Sequence, residues 1–231
     1  MKILAMDTSS VNATVAVCDE NRILGEFTIA GDRAHSQIIM PMLETLLERC
    51  GFSLEDINVF AVSLGPGSFT GLRIGIAAMK TFASTLNKKL IGISSLDEVA
   101  ANFTLSNKFI CPIFDARRSD VYNAIYKDGK KITPDRICSI DTVLGEMADK
   151  EVIFAGDAIC KYREKILSFA NPKWQLSPMH LSMQSASSLA FAALKRAKNN
   201  DFDEPEKLLP IYIRPSQAER EYIEAHGENS I

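Results

Sequence analysis

The sequence lacks the residue patterns of several common metal and redox sites. Its five cysteines include no CxxC pair, and its three histidines, His35, His180 and His226, include no pair four residues apart. Zinc ribbons, thioredoxin-like motifs and helical zinc-protease motifs all need such spacings. The sequence therefore predicts no metal site, and scattered cysteines in apolar runs favour a reducing cytoplasm.

Long apolar runs and an excess of basic residues are also absent. No apolar stretch approaches the roughly 20 residues that cross a bilayer, and the segment 1–6 enters a predicted strand rather than a signal-peptide core. The formal net charge is -3, whereas proteins that bind nucleic acid by themselves usually carry a basic surface. We expect neither membrane insertion nor secretion, and we expect any RNA to be held by a partner.

The residues that are present suffice for a substantial core, since 46% of the 231 residues are hydrophobic. Turn-forming residues and hydrophobic periodicity predict the elements of the first half. They are strands at 2–6, 11–17, 23–29, 59–64 and 90–93 and helices at 36–50 and 70–86. Three strands followed by a strand–helix–strand crossover predict a mixed sheet. Pro41 predicts that the first helix begins or bends nearby.

The pattern starts again after residue 107, and seven of the nine prolines lie beyond position 110. The second half is predicted to contain strands at 109–114, 120–126, 131–139 and 152–155 and helices at 141–149, 157–169 and 184–198. We therefore predict two domains, 1–107 and 108–231. The second ends in a polar segment from Ser216, predicted as a short helix or a loose tail.

A glycine-rich segment, Ser63–Gly75, connects a predicted strand to a helix. It lacks the Walker A pattern because position 70 is Thr and no Gly-Lys pair follows, and it also departs from the dinucleotide fingerprint. It is not the Gly-x-Ser-x-Gly elbow of hydrolases either. We expect Ser68 or Thr70 to cap the helix, while Gly65 and Gly67 allow unusual backbone angles.

A strand ends in an aspartate and a polar turn in both halves of the chain, at Asp7 and at Asp115. A carboxylate in such a turn can hold hydrated Mg²⁺ against nucleotide phosphates. It can equally make only local turn hydrogen bonds. In the second turn Arg117 and Arg118 are expected close to this position, able to pair with phosphate or with neighbouring carboxylates.

Five motifs together identify a family resemblance. They are Met6–Ser9, Arg33–Ser36, Ser63–Gly75, Asp115–Arg118 and Pro210–Arg214. With these motifs the chain resembles the TsaB (YeaZ) family along nearly its whole length. The resemblance implies the α/β fold of actin, sugar kinases and Hsp70 ATPases, with two RNase H-like domains built on mixed sheets, the second reduced.

The resemblance also implies a function. TsaD transfers the threonylcarbamoyl group to adenosine 37 of tRNA, TsaB is its required non-catalytic partner, and TsaE is an ATPase that docks on the pair. TsaD holds a metal through a His-x-x-x-His pair, and Ser95 and Val99 stand at those positions in this chain. A hydroxyl and an isopropyl group do not replace imidazole ligands. We therefore expect no catalytic residues.

The implied fold also carries a cleft between its domains. The residues expected in a nucleotide site there are Asp7, Thr8, Ser9, Asp115 and Gly156. Because the paired histidines are missing and the second domain is trimmed, we expect a vestigial site, weak or empty toward ATP or ADP with Mg²⁺. His35, before the first long helix, is expected to serve as a turn or capping residue.

The helices at 36–50 and 70–86 carry more apolar residues than one sheet-facing side needs. The pattern allows both helices to be buried within the chain. The resemblance instead favours an interface with TsaD, or with a second copy when the chain is alone. The predicted contact residues are Ile39, Met42, Leu43, Leu46, Gly71, Leu72, Gly75, Ala78, Met79 and Phe82.

Two other functions remain as alternatives. An independent ATP-dependent kinase of the same fold would need a catalytic carboxylate and a tight Mg-nucleotide site, and the shortened second half argues against it. A peptidase would need ligands that the sequence lacks.

Overall fold

Two β-sheets organise the chain in the computed structural model, which describes residues 1–31 and 35–214. The first sheet contains β1 (Ile3–Asp7), β2 (Asn12–Cys18), β3 (Ile23–Ala30), β4 (Val59–Gly65) and β5 (Lys89–Ser94). Their order is β3–β2–β1–β4–β5. The first three strands are antiparallel, while β4 pairs in parallel with β1 and β5 with β4. This is the mixed sheet that the sequence predicts.

The second sheet repeats this strand order. It contains β6 (Phe109–Asp115), β7 (Asp120–Asn123), β8 (Tyr126–Lys127), β9 (Lys130–Lys131), β10 (Arg136–Ser139), β11 (Val152–Ala155) and β12 (Trp174–Leu176). The main order is β10–β7–β6–β11–β12, with the β8–β9 hairpin attached to β6. Counted within each half, with the β8–β9 hairpin left out, both sheets read third, second, first, fourth, fifth. The predicted pair of RNase H-like sheets is confirmed.

Seven α-helices accompany the sheets in the described ranges. They are α1 (His35–Cys50), α2 (Phe69–Thr85), α3 (Ser95–Ala101), α4 (Ile140–Glu146), α5 (Ala158–Ser168), α6 (Met179–Ser182) and α7 (Ala186–Lys198). Pro41 lies in the second turn of α1, where its ring is exposed. Within these ranges the structure contains no helix with the length and apolar character needed to cross a bilayer.

The helices form layers on both faces of the sheets. The apolar sides of α1 and α2 share one core with the first sheet, and α4 and α5 pack on the second sheet. Between the two sheets, α7 packs on the first, α3 on the second, and the two helices contact each other. The predicted division at 107/108 assigns α7 to the second domain, whereas its alanine-rich side packs on the first sheet. The domain boundary itself stays a prediction.

The structure differs from the predicted elements in several places. The predicted strand at 131–139 is interrupted, because residues 132–135, which include Pro134, separate β9 from β10. Proline cannot donate to a strand ladder, which accounts for the break. Strand β12 was not predicted, and it is only three residues long. The predicted tail from Ser216 lies outside the described residues.

Candidate functional site

A cleft of about 1080 Å³ lies where the two aspartate-containing turns approach each other. Ser9 of the first turn and Asp115 of the second line it, as predicted. The other three predicted site residues, Asp7, Thr8 and Gly156, are absent from the described lining. They are buried in the protein. The cleft is therefore present, but only two of the five residues proposed for it reach its surface.

The first turn is covered by the N-terminal end of α2. The Thr8 hydroxyl donates to the Gly71 carbonyl at 2.7 Å, and the Ser68 backbone N–H donates to the Ser9 carbonyl at 2.7 Å. A Cβ atom added at Gly71 would lie 1.9 Å from the Thr8 carbonyl oxygen, and one at Gly67 would lie 2.2 Å from that of Ser9. The glycines therefore let the helix pack directly on the backbone of this turn.

The Asp7 carboxyl group lies beneath this turn and faces a second acid, Glu98 of α3. Both side chains are fully buried. Asp7 Oδ1 accepts from the Ser9 N–H at 2.5 Å, and Glu98 Oε1 accepts from the Ser185 N–H at 2.8 Å. Asp7 Oδ2 and Glu98 Oε2 would have no donor in the described structure if both acids were ionised. A proton shared between them supplies the missing hydrogen bond.

The electrostatics of this pair follow from its burial. Burial raises the pKa of Asp7, although hydrogen bonds from its neighbours oppose the change. Burial and then the charge of Asp7 hold the pKa of Glu98 well above its usual range. Of the two acids, Glu98 is therefore the one whose environment more strongly favours the protonated form. Glu98 was not among the predicted site residues, although an acid directly before the apolar pair Val99–Ala100 is a usable signal.

Ser95 and Val99 occupy the positions expected for the metal ligands of the catalytic relative. The Ser95 hydroxyl contacts those of Ser63 at 2.7 Å and Ser9 at 3.2 Å, while Val99 is fully buried in an apolar cluster. Across residues 1–31 and 35–214, no group of three or more His, Cys, Asp or Glu residues could hold a metal ion. A hydrogen-bonded chain of hydroxyl groups occupies this location.

The second turn remains open to the cleft, and its carboxylate is already paired. Asp115 Oδ1 accepts from Lys161 Nζ at 2.7 Å, and the Asp115 N–H donates to Asp157 at 2.9 Å. Burial raises the pKa of Asp157. Gly156 precedes it with φ +104°, and a Cβ there would lie 2.2 Å from the Ile113 carbonyl oxygen. Gly156 therefore lets the chain before Asp157 approach the backbone of β6 closely, but it does not line the cleft.

The C-terminal segment 210–214 passes from the first sheet to the second turn at the edge of the cleft. The Ile211 N–H donates to the Leu64 carbonyl at 2.7 Å, and Tyr212 stacks on Phe69 with ring centroids 4.5 Å apart. Arg214 donates to the Ala116 carbonyl at 2.5 Å. This segment connects the glycine-rich region to the second turn.

The two aspartates predicted to hold Mg²⁺ are not both free in this structure. The Asp7 carboxyl group is enclosed beneath the first turn, and Lys161 neutralises Asp115. Magnesium requires carboxylate oxygens that are free and accessible. The side chains that do face the cleft include the cations Arg117, Arg118 and Arg214.

The structure shows where the predicted interface residues on α1 and α2 lie within the chain. Eight of the ten lie in the core: Ile39, Met42, Leu43, Leu46, Gly71, Leu72, Gly75 and Met79. Only Ala78 and Phe82 are partly exposed. The surplus apolar residues are covered because the two helices pack beside each other as well as on the sheet. An interface on these helices stays a prediction, and its contacts must come from their exposed sides.

Other predicted features have clear outcomes. Ser68 caps α2 by accepting from the Gly71 N–H at 3.2 Å, as predicted. His35 is the first residue of α1 and lines the cleft. Arg33 and Ala34 of the Arg33–Ser36 motif lie outside the described residues.

The sequence is similar to a family model and to two named bacterial proteins. The family model described as "TsaD: tRNA N6-adenosine threonylcarbamoyltransferase" matches residues 22–222. The tRNA threonylcarbamoyladenosine biosynthesis protein TsaB of Bacillus subtilis is 32% identical, and the alignment covers 97% of this chain and 99% of that protein. The Escherichia coli protein of the same name is 37% identical over 55% of each chain.

Solved structures support the same relationship. YeaZ from Pseudomonas aeruginosa superposes with a TM-score of 0.78 at 26% identity, covering 91% of this chain and 99% of that one. A ROK hexokinase from Thermus thermophilus gives a TM-score of 0.52 at 10% identity, covering 84% and 98%. The second likeness shows the fold alone, which is the predicted fold of actin and sugar kinases.

Proposed function

The chain belongs to the TsaD family and, within it, to the TsaB (YeaZ) proteins, and we therefore propose that it serves tRNA threonylcarbamoyladenosine biosynthesis as a non-catalytic subunit. In this role it binds and activates a TsaD-like transferase, which modifies adenosine 37. A TsaE-like ATPase docks on the heterodimer, and tRNA is contacted through the partner. Alone, the chain forms a homodimer through the same surface.

A non-catalytic role is supported most directly by the surroundings of Ser95 and Val99, the positions where the catalytic relative is expected to carry metal ligands. Ser95 hydrogen-bonds to two other serines, and Val99 is enclosed by apolar side chains. The likeness to a hexokinase shows only the fold, so it gives the alternative of an independent kinase no support.

The exposed sides of α1 and α2 supply a surface suited to a partner helix. On α2, Ala77, Thr81 and Ser84 are exposed at helical spacing, and none has a long side chain. The Thr81 hydroxyl donates to the Ala77 carbonyl at 2.8 Å, and on α1 the Thr45 hydroxyl donates to the Pro41 carbonyl at 2.8 Å. Both threonines thus satisfy their hydroxyl groups within their own helices. Small side chains of this kind allow another helix to approach closely.

The mutation that tests this surface is Ala77→Glu combined with Thr81→Glu. Both side chains are exposed, so we expect the free energy of unfolding to change by less than about 1 kcal/mol. Two charges placed inside a helix–helix contact should weaken binding to a TsaD-like protein at least about tenfold. Calorimetry measures the affinity, light scattering measures the homodimer, and a tRNA modification assay measures activation.

Ala148→Glu is the matched control, because Ala148 is exposed at the end of α4 on the second sheet. It should leave both affinity and modification unchanged. An unaltered affinity in the double variant would contradict the proposed surface. Normal modification of tRNA by the TsaD-like enzyme without this chain would contradict the proposed role.

A further inference from the structure

A second cavity, of about 340 Å³, lies between the two sheets at the opposite end of α3 and α7 from the cleft. Ser95, the first residue of α3, contacts Ser9 in the cleft, and Gln184, two residues before α7, lines the cleft. The second cavity is lined instead by residues further along the same helices, from Asp97 of α3 and Phe191 of α7 onward. Its volume is at the lower end of the range for small-molecule sites, about 300–1000 Å³.

Apolar side chains from both halves of the chain form walls of this α3/α7 cavity. Ile93 of β5 belongs to the first sheet, and Ile110 of β6 and Tyr126 of β8 belong to the second. These three residues are 4–6% exposed, and Ala100 of α3 is 7% exposed. A ligand with an apolar body could therefore contact both sheets and a helix between them at once.

The acid on the α3 side of the cavity is already paired. Asp97 forms an ion pair with Lys131 at 2.8 Å and accepts from the Tyr126 hydroxyl at 2.6 Å. Burial and then the charge of Asp97 raise the pKa of Tyr126, so its hydroxyl group stays protonated and donates. Lys131 also contacts Asp135 at 2.7 Å. Burial lowers the pKa of Lys131 and its two carboxylate neighbours raise it, and the carboxylates prevail.

The acids on the other sides are paired as well. Arg196 donates to Asp201 at 2.7 and 2.9 Å and to Asp203 at 3.0 and 3.2 Å. Asp128, next to the lining residue Gly129 in the hairpin turn, forms an ion pair with Lys127 at 3.7 Å. A cationic ligand would therefore find no unpaired carboxylate among the described lining residues.

One cation of the lining remains available. Across residues 1–31 and 35–214, the Lys195 ammonium group makes no hydrogen bond or ion pair, and the residues three and four positions away on either side along the chain include no acid. Phe191, which is 56% exposed, lies four residues before Lys195 on α7. Residues at this spacing share one side of a helix. An exposed aromatic ring and an unpaired ammonium group thus lie beside the same apolar cavity.

We propose that the α3/α7 cavity binds a small carboxylate with an aromatic body. The ring packs on Phe191 and the apolar walls, and the carboxylate pairs with Lys195. A single unpaired ammonium group matches one negative charge, whereas a phosphate dianion would share the cavity with the carboxylates of Asp97 and Asp201. The site is independent of the proposed partner role, because none of its lining residues lies on α1 or α2.

The test is an NMR titration of the ¹⁵N-labelled full chain with 3-phenylpropionate and with its neutral amide, 3-phenylpropanamide. We expect the carboxylate to bind with a Kd of about 0.1–1 mM and to shift the backbone amides of residues 191–196. The neutral amide should bind about three to five times more weakly, because it lacks the ion pair with Lys195. In the variant Lys195→Gln this preference should disappear, so that the two compounds bind equally.

Lys198→Gln is the matched control, since Lys198 is exposed on the same helix, loses the same charge and does not line the cavity. It should keep the wild-type preference. Ala192→Phe fills the cavity and should weaken both compounds at least about tenfold, with circular dichroism as the check of folding. If that variant does not fold, Lys195→Gln decides.

Four results would overturn the proposal. They are the absence of shifts up to about 10 mM, a preference for the carboxylate that survives Lys195→Gln, an equal loss of preference in Lys198→Gln, and shifts confined to residues of the cleft. Binding of 3-phenylpropylamine as tightly as the carboxylate would overturn the assignment of charge.

Discussion

Replacing Glu98 with glutamine should stabilise the protein at neutral pH and remove part of its pH dependence. In the wild type, Glu98 accepts from the Ser185 N–H, and its raised pKa favours a protonated carboxyl group that can donate to Asp7. The amide of Glu98→Gln keeps both hydrogen bonds, because its oxygen can accept from Ser185 and its NH₂ group can donate to Asp7. Glutamine makes these hydrogen bonds without binding a proton, whereas glutamic acid must bind one that it would release on unfolding.

The magnitude follows from proton linkage. The pKa of Glu98 is raised in the folded state, so its stabilising effect is complete below the ordinary carboxyl range and is lost as the pH rises through the raised pKa. While the folded chain holds one extra proton, the free energy of unfolding falls by about 1.36 kcal/mol per pH unit. Between pH 5 and pH 7 the variant should therefore gain up to about 2.7 kcal/mol relative to the wild type.

Urea denaturation at several pH values measures this difference. Glu26 and His35 also lie near the pair, but both are retained in the variant, so the difference between the two proteins isolates Glu98. Glu98→Leu is the informative control, because it leaves the Ser185 N–H and Asp7 Oδ2 without partners and should destabilise the protein at every pH. Parallel stability curves for wild type and Glu98→Gln would refute the shared proton.

Three further substitutions test the packing. Gly71→Ala should lower the free energy of unfolding by at least about 2 kcal/mol, because its Cβ would lie 1.9 Å from the Thr8 carbonyl oxygen. Gly145→Ala is the control, because a Cβ at Gly145 would have no neighbouring atom within 4 Å. It should be neutral or stabilise helix α4 by up to about 1 kcal/mol. Equal effects in thermal denaturation would contradict this account of the glycine motif. Leu43→Glu should lower stability by more than about 3 kcal/mol, since Leu43 is 4% exposed within the core. A stable variant that only loses its homodimer would restore Leu43 as an interface residue.

The sequence predicted the architecture well because the signals were local. Each half contains a strand that ends in Asp and returns through a polar turn, and the following strand–helix–strand pattern indicates a parallel crossover. The capping role of Ser68 could also be predicted, since a hydroxyl residue precedes the helical pattern.

The identity of the surface residues could not be predicted in the same way. Periodicity places Leu43 and Met79 on the apolar sides of their helices, but it does not show which neighbours cover them. In the structure α1 and α2 lie side by side, so one helix covers the flank of the other. The Asp7–Glu98 contact was also inaccessible to sequence reasoning, because it joins residues 91 positions apart through the arrangement of α3 against the first sheet.

The two turns occupy equivalent places in a duplicated topology but differ in how they are covered. Both follow the first strand of a sheet with the same strand order, but α2 packs on the first turn through Gly67 and Gly71, whereas the second turn keeps an open surface. The sharing of a proton by Asp7 and Glu98 is a consequence of that coverage, because water and metal ions are excluded from both acids. The basic side chains Arg117, Arg118 and Arg214 that line the cleft come from the second turn and from the segment 210–214.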